Sequence, residues 1–284
     1  MVKQQQLIDT FINEIYLKPP KKHYETNKTP LKSIDETWSA DLLQMDDYGV
    51  KNNRGYNYIL TVIDNFSKYS WTVPLRNKNA NTVTEAFADI ITKRKPKLLE
   101  TDDGKEFTNK MFNEFLKLND IKRYSRYTSK GAVFAELFNR TIRDLLKKPV
   151  FEKGNANWID ELQSITKIYN NKIHSSTKMT PIQASKKSNE SKVYANLQDK
   201  RTKRKPKYNL GDLVRTADTR NIFSKSDTTN WSYNLYTITE IIDDTIPSYR
   251  IDFLPERYNE ALLKKSRLTI DENKNLMKKL NLFQ

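Results

Sequence analysis

The sequence contains no cysteine, and His23 and His174 are the only histidines among its 284 residues. Without thiols the chain forms no disulfide and offers no thiolate ligand to zinc. Two histidines do not complete a tetrahedral zinc site, so we expect no zinc. The metal chemistry that this composition favours is that of oxygen ligands.

Long apolar runs are also missing, because none approaches the roughly 20 residues of a membrane-spanning helix. The first residues, MVKQQQ, are polar and do not have the pattern of a secretory signal. We therefore expect a soluble, intracellular protein that is neither secreted nor held in a membrane.

Positive charge is what the sequence has in excess. Lysine and arginine number 50 against 35 acidic residues, which gives a formal charge of +15. Such an excess favours a polyanionic partner, above all nucleic acid and less often an anionic membrane surface. A basic surface that is merely solvated is the alternative, and the size of the excess makes it the weaker one.

Apolar spacing and turn residues divide the chain into five predicted parts. Residues 1–34 read as an amphipathic helix and a basic arm, 35–184 as an α/β core, and 185–207 as a basic linker without apolar periodicity. Residues 208–270 read as a small all-β module and 271–284 as a tail. In the core, three strands precede an alternation of helices and strands, which predicts a mixed sheet flanked by helices.

Three acids of the core stand out by their position. Asp41 lies in the first predicted strand, Asp102 at the end of the fourth, and Glu136 near the start of a long helix. Carboxylates brought together repel one another unless a cation shares the site, and oxygen ligands suit Mg²⁺ or Mn²⁺. Two such ions can serve displacement at phosphorus. With 35 acids in the chain, incidental surface carboxylates are the alternative.

Several segments occur in one order along the chain: TWSADLLQM, YILTVIDNFSKYSWTVPL, TDDGKEF, AELFNRTIRD and YNNKIHSSTKMTPIQA. Together they resemble the catalytic core of retroviral-type integrases, with the closest likeness to integrases of Maverick/Polinton transposons and virophages. The resemblance covers about residues 36–184. A weaker likeness links YNLGDLVR and SYRIDFL to the SH3-like or chromodomain-like C-terminal module of those proteins.

The resemblance implies an α/β, RNase H-like core with a five-stranded mixed sheet, followed by a small all-β, SH3-like barrel. It places the catalytic and metal-binding acids at Asp41, three residues after Trp38, at Asp102 in the TDDGKEF segment, and at Glu136 before FNRT. Between Asp102 and Glu136 lie 33 residues, close to the family's spacing. The implied cofactor is Mg²⁺, with Mn²⁺ as a substitute.

Some positions depart from the family. The lysine that the family often has five residues before the glutamate is Gly131 here, with Lys130 as the candidate substitute, and the arginine after the glutamate is Leu137. The N-terminal His-His-Cys-Cys zinc module of retroviral integrases is absent from the sequence given. These departures concern contacts with DNA ends more than the acid triad.

By resemblance, the function is that of a DNA integrase, a polynucleotidyl transferase that trims 3′ ends and joins them to target DNA. The implied partners are double-stranded DNA and further copies of the chain, as a tetramer or higher, with helix 7–16, the C-terminal module and the tail as candidate assembly surfaces. The implied location is the host nucleus, with packaging in a virion as an addition. An RNase H-like nuclease without joining activity and a domesticated, catalytically silent DNA-binding protein are the alternatives.

Residues around the triad carry narrower predictions. Asp103 is open to three roles, as a turn residue, a group behind the metal ligands or an alternative ligand, and the turn role is favoured. Gly104 is expected to supply a turn conformation, and Glu106 with Phe107 to cap and anchor the next helix. Asp64 is expected to make structural hydrogen bonds rather than bind metal. His174 is expected to hydrogen-bond at a helix end rather than to act as a catalyst.

Candidate DNA contacts lie in two regions. Arg126, Lys130, Asn139 and Arg140 flank or begin the long helix, where solvation or helix packing is the alternative. The second region is the basic segment 200–207, with Lys203, Arg204 and Lys205. That segment is open to reading as a spacer, a contact with the DNA backbone or a nuclear import signal.

Overall fold

The computed structural model describes residues 2–16, 19–20, 24–27, 31–45, 53–125, 133–153, 157–217 and 229–282. They belong to two compact units, one of residues 30–198 and one of residues 1–29 together with 199–284.

The helices of these residues are α1 (Val2–Tyr16), α2 (Ala80–Ile91), α3 (Lys105–Thr108), α4 (Lys110–Leu118), α5 (Val133–Lys153), α6 (Leu162–Asn171), α7 (Pro181–Ala184), α8 (Glu190–Leu197) and α9 (Ile270–Lys279). Within the described ranges, no helix combines the length and apolar character needed to cross a membrane.

The strands are β1 (Thr37–Gln44), β2 (Tyr58–Asp64), β3 (Ser70–Leu75), β4 (Leu98–Thr101), β5 (Lys122–Ser125), β6 (Leu213–Thr216), β7 (Tyr236–Ile242), β8 (Ser248–Ile251), β9 (Leu254–Asn259) and β10 (Leu263–Lys265).

The unit of residues 30–198 is built on a five-stranded sheet in the order β3-β2-β1-β4-β5. Strands β1, β2 and β3 pair antiparallel, whereas β4 pairs parallel to β1 and β5 parallel to β4. This confirms the mixed sheet that the order of sequence patterns predicts. The two parallel pairs bring the carboxyl ends of β1 and β4 to the same edge of the sheet.

Alternation along β1 sends its side chains to opposite faces of the sheet. Trp38 and Ala40 enter a core with α2 and α4, while Leu43 and Met45 enter a second core with α5 and α6. Both faces are covered, which explains why β2 is buried along nearly its whole length.

A polar stripe interrupts the second core. It consists of Ser39, Asp41, Thr61, Asn65, Glu100 and Asp102, on the face that α5 covers. Ser39 and Glu100 are fully buried. Burying polar groups is costly unless they are hydrogen-bonded, so this stripe marks the part of the core where packing alone does not decide the residue type.

The outer edge of β3 is covered by polar side chains of α6. Asn170 donates through Nδ2 to the Ser70 carbonyl at 2.8 Å and accepts from the Ser70 N–H at 3.0 Å. Gln163 donates to the Thr72 carbonyl at 2.9 Å. Side-chain amides of the helix thus take the place of a further strand along this edge.

The other unit contains an antiparallel sheet in the order β10-β6-β7-β8-β9. This confirms the small all-β module, although β9 and β10 are absent from the prediction. Strand β9 contains Pro255 and alternates poorly, so its sequence has little strand signal. The SH3-like character of this module stays a prediction.

Helix α1 packs within the same unit as this sheet. Its Phe11 and Ile15 are buried in a cluster with Leu268, Leu276 and Met277 from the segment that contains α9. The apolar face that the sequence offers as an assembly surface is therefore used within the chain. The predicted tail 271–284 begins inside α9, which starts at Ile270 behind a Thr269 capping box.

A buried ion pair links these elements. Arg215 of β6 contacts Glu14 of α1 at 2.9 Å, and the guanidinium also donates to Asn273 of α9 at 2.7 Å. Glu14 accepts in addition from the Ser266 hydroxyl at 2.7 Å and from the Arg267 N–H at 2.7 Å. Such a pair restricts which residues can pack together here, because leaving either charge buried without its partner costs free energy.

The predicted linker 185–207 differs from the structure. Helix α8 lies inside it, with Val193 fully buried beside Phe66 and Ala184. The prediction of a stretch without packed structure was therefore wrong over Glu190–Leu197. Val193 and the partly buried Leu197 dock this short helix, and two apolar residues are too few to give a periodic pattern.

We expect Arg215→Met to lower the free energy of unfolding of this unit by about 3 kcal/mol or more, because Glu14 keeps its charge without its partner. Chemical denaturation followed by circular dichroism measures the change. The matched control is Arg250→Met, whose ion pair with Glu240 at 3.4 Å is exposed, and it should cost less than about 1 kcal/mol. Equal losses in the two variants would contradict the prediction.

Candidate active site

Two of the three predicted acids lie at the same level of the sheet. Ser39 of β1 and Glu100 of β4 are directly paired in the parallel ladder, and their side chains meet at 2.7 Å. Asp41 and Asp102 each follow two residues later, so they lie on the same face, one step nearer the edge of the sheet. The chain reaches this arrangement because β4 ends at Thr101.

Glu136 comes from α5, which packs across β1 and β2. Burial is the largest cause that raises the pKa of Asp41, to about 6, and the negative charges of Asp102, Glu136 and Glu106 raise it further. The N–H of Leu42, which donates to Asp41 Oδ1 at 2.8 Å, acts in the opposite direction. Asp102 and Glu136 are thus close enough to Asp41 to act on its ionisation.

Asn139 holds the carboxylate of Asp41. Its Nδ2 donates to Asp41 Oδ2 at 2.7 Å, and its Oδ1 accepts from the Thr61 hydroxyl at 2.6 Å. Thr61 is the direct cross-strand partner of Asp41. This relay orients the carboxylate, a role that differs from both predicted roles of Asn139, DNA contact and helix packing. Its sequence signal is the three-residue spacing from Glu136, which puts both side chains on one helix face.

The turn after β4 is closed by Asp102 rather than Asp103. Asp102 Oδ1 accepts from the Gly104 N–H at 3.1 Å, so the side chain that caps this loop is that of Asp102. Asp103 is three-quarters exposed and lies 4.0 Å from Arg123. The turn role predicted for Asp103 was therefore wrong. Asp102 and Asp103 are the same residue type, so the end of β4 decides which of the two side chains points into the turn.

Gly104 is not required by its backbone angles, and a Cβ here would meet only the flexible end of the Glu106 side chain. Its φ of −57° is open to any residue, and a Cβ at this position would lie 2.8 Å from the carboxyl carbon of Glu106. The prediction that Gly104 supplies an unusual conformation was wrong. Glu106 is half-buried beside the site and its charge reaches Asp41, whereas Phe107 is fully buried as predicted.

A groove of about 520 Å³ runs from Asp41 and Glu136 along α5. Asp41 and Glu136 lie at its acidic end, and the exposed cations Arg140, Arg143 and Lys147 lie further along it, together with Asp144, which pairs with Lys147 at 2.7 Å. These cations recur every three or four residues and so share one face of the helix. The groove therefore joins a cluster of carboxylates to a row of positive charge.

The residues fit a divalent cation by their chemistry. No set of three or more acidic, histidine or cysteine side chains in the described ranges is gathered tightly enough to enclose an ion by itself. Mg²⁺ is commonly bound by one or two carboxylates with waters and substrate oxygens, so such an enclosure is not required. The mutual repulsion at Asp41 is what a cation between these groups would relieve.

Residues 34–129 match the family model of the integrase core domain. The match covers about a third of the chain. The match includes Asp41 and Asp102 and ends before Glu136, whose place in the site rests on the geometry of α5. The retroviral-type resemblance is thereby confirmed, whereas the closeness to Maverick/Polinton and virophage integrases stays a prediction.

Proteins of mobile elements are similar to the chain. A transposon-derived protein of Caenorhabditis elegans is 27% identical over 188 residues, which are 66% of this chain and 64% of that protein. A Tf2-3 transposon polyprotein of Schizosaccharomyces pombe is 29% identical over 160 residues, 54% of this chain and 12% of the polyprotein. The chain thus spans less than two thirds of either relative.

One solved structure is similar over most of the chain. A chain of the simian T-cell lymphotropic virus intasome, solved with PP2A regulatory subunit B56 gamma, superposes with a TM-score of 0.60 at 11% identity. The likeness covers 90% of this chain and 86% of that one. At this identity it shows the fold alone, and it confirms the predicted combination of an RNase H-like integrase core with a small β module.

The remaining predicted residues of the integrase core separate into two groups. Asp64 is fully buried and accepts from Ser67 and Arg94, and His174 accepts from Ser176, so both have the structural roles expected of them. Arg126 and Lys130 lie outside the described residues.

The basic segment of the other unit is partly neutralised. Lys203 pairs with Asp243 at 2.6 Å, and Arg204 pairs with Glu25. These contacts are exposed and therefore weak, so they leave the prediction of DNA contacts at Lys203, Arg204 and Lys205 untested.

Ionisation of Asp41 should lower the stability of the metal-free protein. The pKa of Asp41 is raised from 3.8 to about 6. The stability contributed by the protonated Asp41 carboxyl is therefore fully present below pH 4 and is lost as the pH rises through 6. Asp41→Asn does not ionise. In EDTA, the free energy of unfolding of Asp41→Asn minus that of wild type should therefore increase by up to about 3 kcal/mol between pH 4 and 7.

Denaturant titrations across this pH range give the difference. The control is Asp89→Asn, at an exposed position on α2, which should follow wild type. If Asp41→Asn also followed wild type, the environment inferred for Asp41 would be wrong.

Proposed function

We propose that the chain is a DNA integrase that trims the 3′ ends of a mobile element or viral genome and joins them to target DNA. The observation that carries this proposal is that the charges of Asp102 and Glu136 reach Asp41, beside a groove lined by Arg140 and Arg143. The match of residues 34–129 to the integrase core model supports it. Acids of this kind suit metal-assisted phosphoryl transfer, and the row of cations suits a DNA backbone.

In this proposal Asp41, Asp102 and Glu136 hold Mg²⁺, for which Mn²⁺ can substitute. When bound, divalent ions supply a more acidic attacking oxygen and stabilise the leaving one. Asn139 keeps Asp41 in orientation through its hydrogen bond to Oδ2. Arg140 and Arg143 hold phosphates along α5, whereas Lys147 pairs with Asp144.

The proposed reaction has two displacements at phosphorus. In the first, water attacks a phosphodiester near the element's 3′ end, the bond to the 3′ oxygen breaks, and that oxygen leaves as a hydroxyl after taking a proton. In the second, this 3′-hydroxyl loses its proton, attacks a target phosphodiester, and displaces another 3′ oxygen. No covalent bond to the protein forms in either step.

Coordinated joining of two DNA ends favours a multimer, and we propose a tetramer or higher order on DNA. Action on chromosomal targets places the protein in the host nucleus, and carriage in a virion is compatible with the same reaction. These proposals on assembly and location follow from the proposed reaction.

A strand-transfer assay with oligonucleotides that copy the element's ends tests the reaction in Mg²⁺ and in Mn²⁺. Wild type should trim and join. Asp102→Asn should lose at least about a hundredfold in both steps, because the metal loses a charged ligand. The matched control is Asp103→Asn, an exposed neighbour that should keep most of the activity.

Two results would contradict this proposal in different ways. Trimming without joined products in wild type would favour an RNase H-like nuclease, and DNA binding without either product would favour the catalytically silent protein. Equal losses in the two variants would remove the distinction drawn between Asp102 and Asp103.

The groove along α5 generates a second prediction. DNA affinity falls linearly with salt on logarithmic axes, with a slope of about −0.9 for each neutralised phosphate. Arg140→Gln should reduce that slope by about one and weaken binding alike on unrelated sequences. Fluorescence anisotropy over a salt series measures it, with Lys110→Gln on α4 as control because Lys110 is paired with Glu114. An unchanged slope for Arg140→Gln would exclude it from backbone contact.

A further inference from the structure

Lys68 is a buried cation that the proposed reaction does not use. It lies in the turn between β2 and β3, is 4% exposed, and adopts a left-handed backbone with φ of 65°. This conformation costs a non-glycine residue energy, and burial lowers the pKa of the ammonium to about 7. A side chain that only filled space here would be more stable as a hydrocarbon.

The ammonium of Lys68 reaches the first turn of α5. Its Nζ lies 3.8 Å from the centre of the Phe134 ring, well within the range of a cation–π contact. Phe134 is the second residue of α5, and Glu136 follows two residues later. The contact thus connects the β2–β3 turn to the turn of helix that carries the third acid of the site.

The same ammonium is tied to the strands that carry the other two acids. Lys68 Nζ donates to the carbonyl of Asn65 at 2.5 Å. The Asn65 side chain meets the Ser39 hydroxyl at 2.8 Å, and that hydroxyl lies 2.7 Å from Glu100 Oε2. Ser39 has one hydroxyl proton, so it donates to only one of these two acceptors at a time.

Ser39 and Glu100 are the residues two positions before Asp41 and Asp102, on the same face of the sheet. The buried cluster of Lys68, Asn65, Ser39 and Glu100 therefore lies directly beneath the two aspartates. Through Phe134 it also reaches the helix of Glu136. All three elements of the site meet at one polar cluster within the second core.

Charged and titratable groups face Lys68 from the neighbouring elements. Asp64, at the end of β2, favours the ammonium and is itself paired with Arg94 at 3.2 Å. His174, in the segment after α6, has its pKa lowered by burial and by the positive charge of Lys68. The Asn65 carbonyl and the Phe134 ring are the neutral groups that accept the cation.

We propose that Lys68 and Phe134 are positioning residues of the integrase, setting the first turn of α5 so that Glu136 meets Asp41 and Asp102 at the metal. The proposal rests on the proposed function in that it takes these acids as the metal ligands. Residues behind metal ligands commonly change metal affinity by ten- to a hundredfold when altered.

The test measures binding of Mn²⁺ alone to the full chain by isothermal titration calorimetry, without DNA. Lys68→Met and Phe134→Leu should each weaken Mn²⁺ binding about tenfold. Phe134→Tyr keeps an aromatic face and should bind Mn²⁺ nearly as wild type does. The double variant should be little weaker than the poorer single variant, because both remove the same contact.

The control variant is Lys207→Met, which removes a lysine lying over the Tyr208 ring at 5.0 Å in the other compact unit. It should leave Mn²⁺ binding unchanged. Circular dichroism and thermal unfolding confirm that each variant is folded. Because Phe134 is only half-buried, the comparison of its leucine and tyrosine variants decides the question even if Lys68→Met does not fold.

Folded Lys68→Met and Phe134→Leu proteins with the Mn²⁺ affinity of wild type would overturn this inference while leaving the integrase proposal intact. Equal weakening in the leucine and tyrosine variants would also overturn it, since the ring would then be irrelevant. Wild type that binds Mn²⁺ but neither trims nor joins DNA would instead contradict the proposed function alone.

Discussion

Repulsion among carboxylates is the constraint on which the α/β unit depends. Asp41 is partly buried and feels the charges of Asp102, Glu136 and Glu106, so its pKa rises to about 6. Among the residues that the structure describes, the fold places no lysine or arginine in a salt bridge with Asp41. It relies instead on neutral donors, the Asn139 amide and the Leu42 N–H. Negative charge thus stays available to a divalent ion rather than being spent on a side-chain salt bridge.

The polar stripe beneath the acids is the structural counterpart of this arrangement. Ser39, Thr61 and Asn65 lie where apolar residues would pack against α5. Ser39 and Asn65 are hydrogen-bonded to each other, Asn65 also to Glu100, and Thr61 to Asn139. A network of this kind has one low-energy arrangement, whereas an apolar core tolerates several packings. Precision at the site is therefore obtained at some expense of stability in the layer that supports it.

Much of the fold and of the candidate site was predictable from the sequence. The features that were not predictable depend on contacts that no local sequence pattern records. The predicted elements put Asp41 in a strand, Asp102 at a strand end and Glu136 near a helix start, and the resemblance to retroviral-type integrases singled these three out among 35 acids. The choice of Asp102 over Asp103 for the turn depends on where β4 ends, which no local pattern fixes. The pairing of Arg215 with Glu14 joins residues 201 positions apart and left no trace in periodicity.

The edge of β3 bears on how copies of this chain can associate. Because Asn170 and Gln163 already occupy the Ser70 and Thr72 backbone groups, a strand from another molecule cannot add there without first detaching α6. Growth of the sheet into a continuous ribbon is blocked on this side. Any multimer that includes this flank must use side-chain surfaces, whose chemistry can evolve independently of the backbone that holds the acids in place.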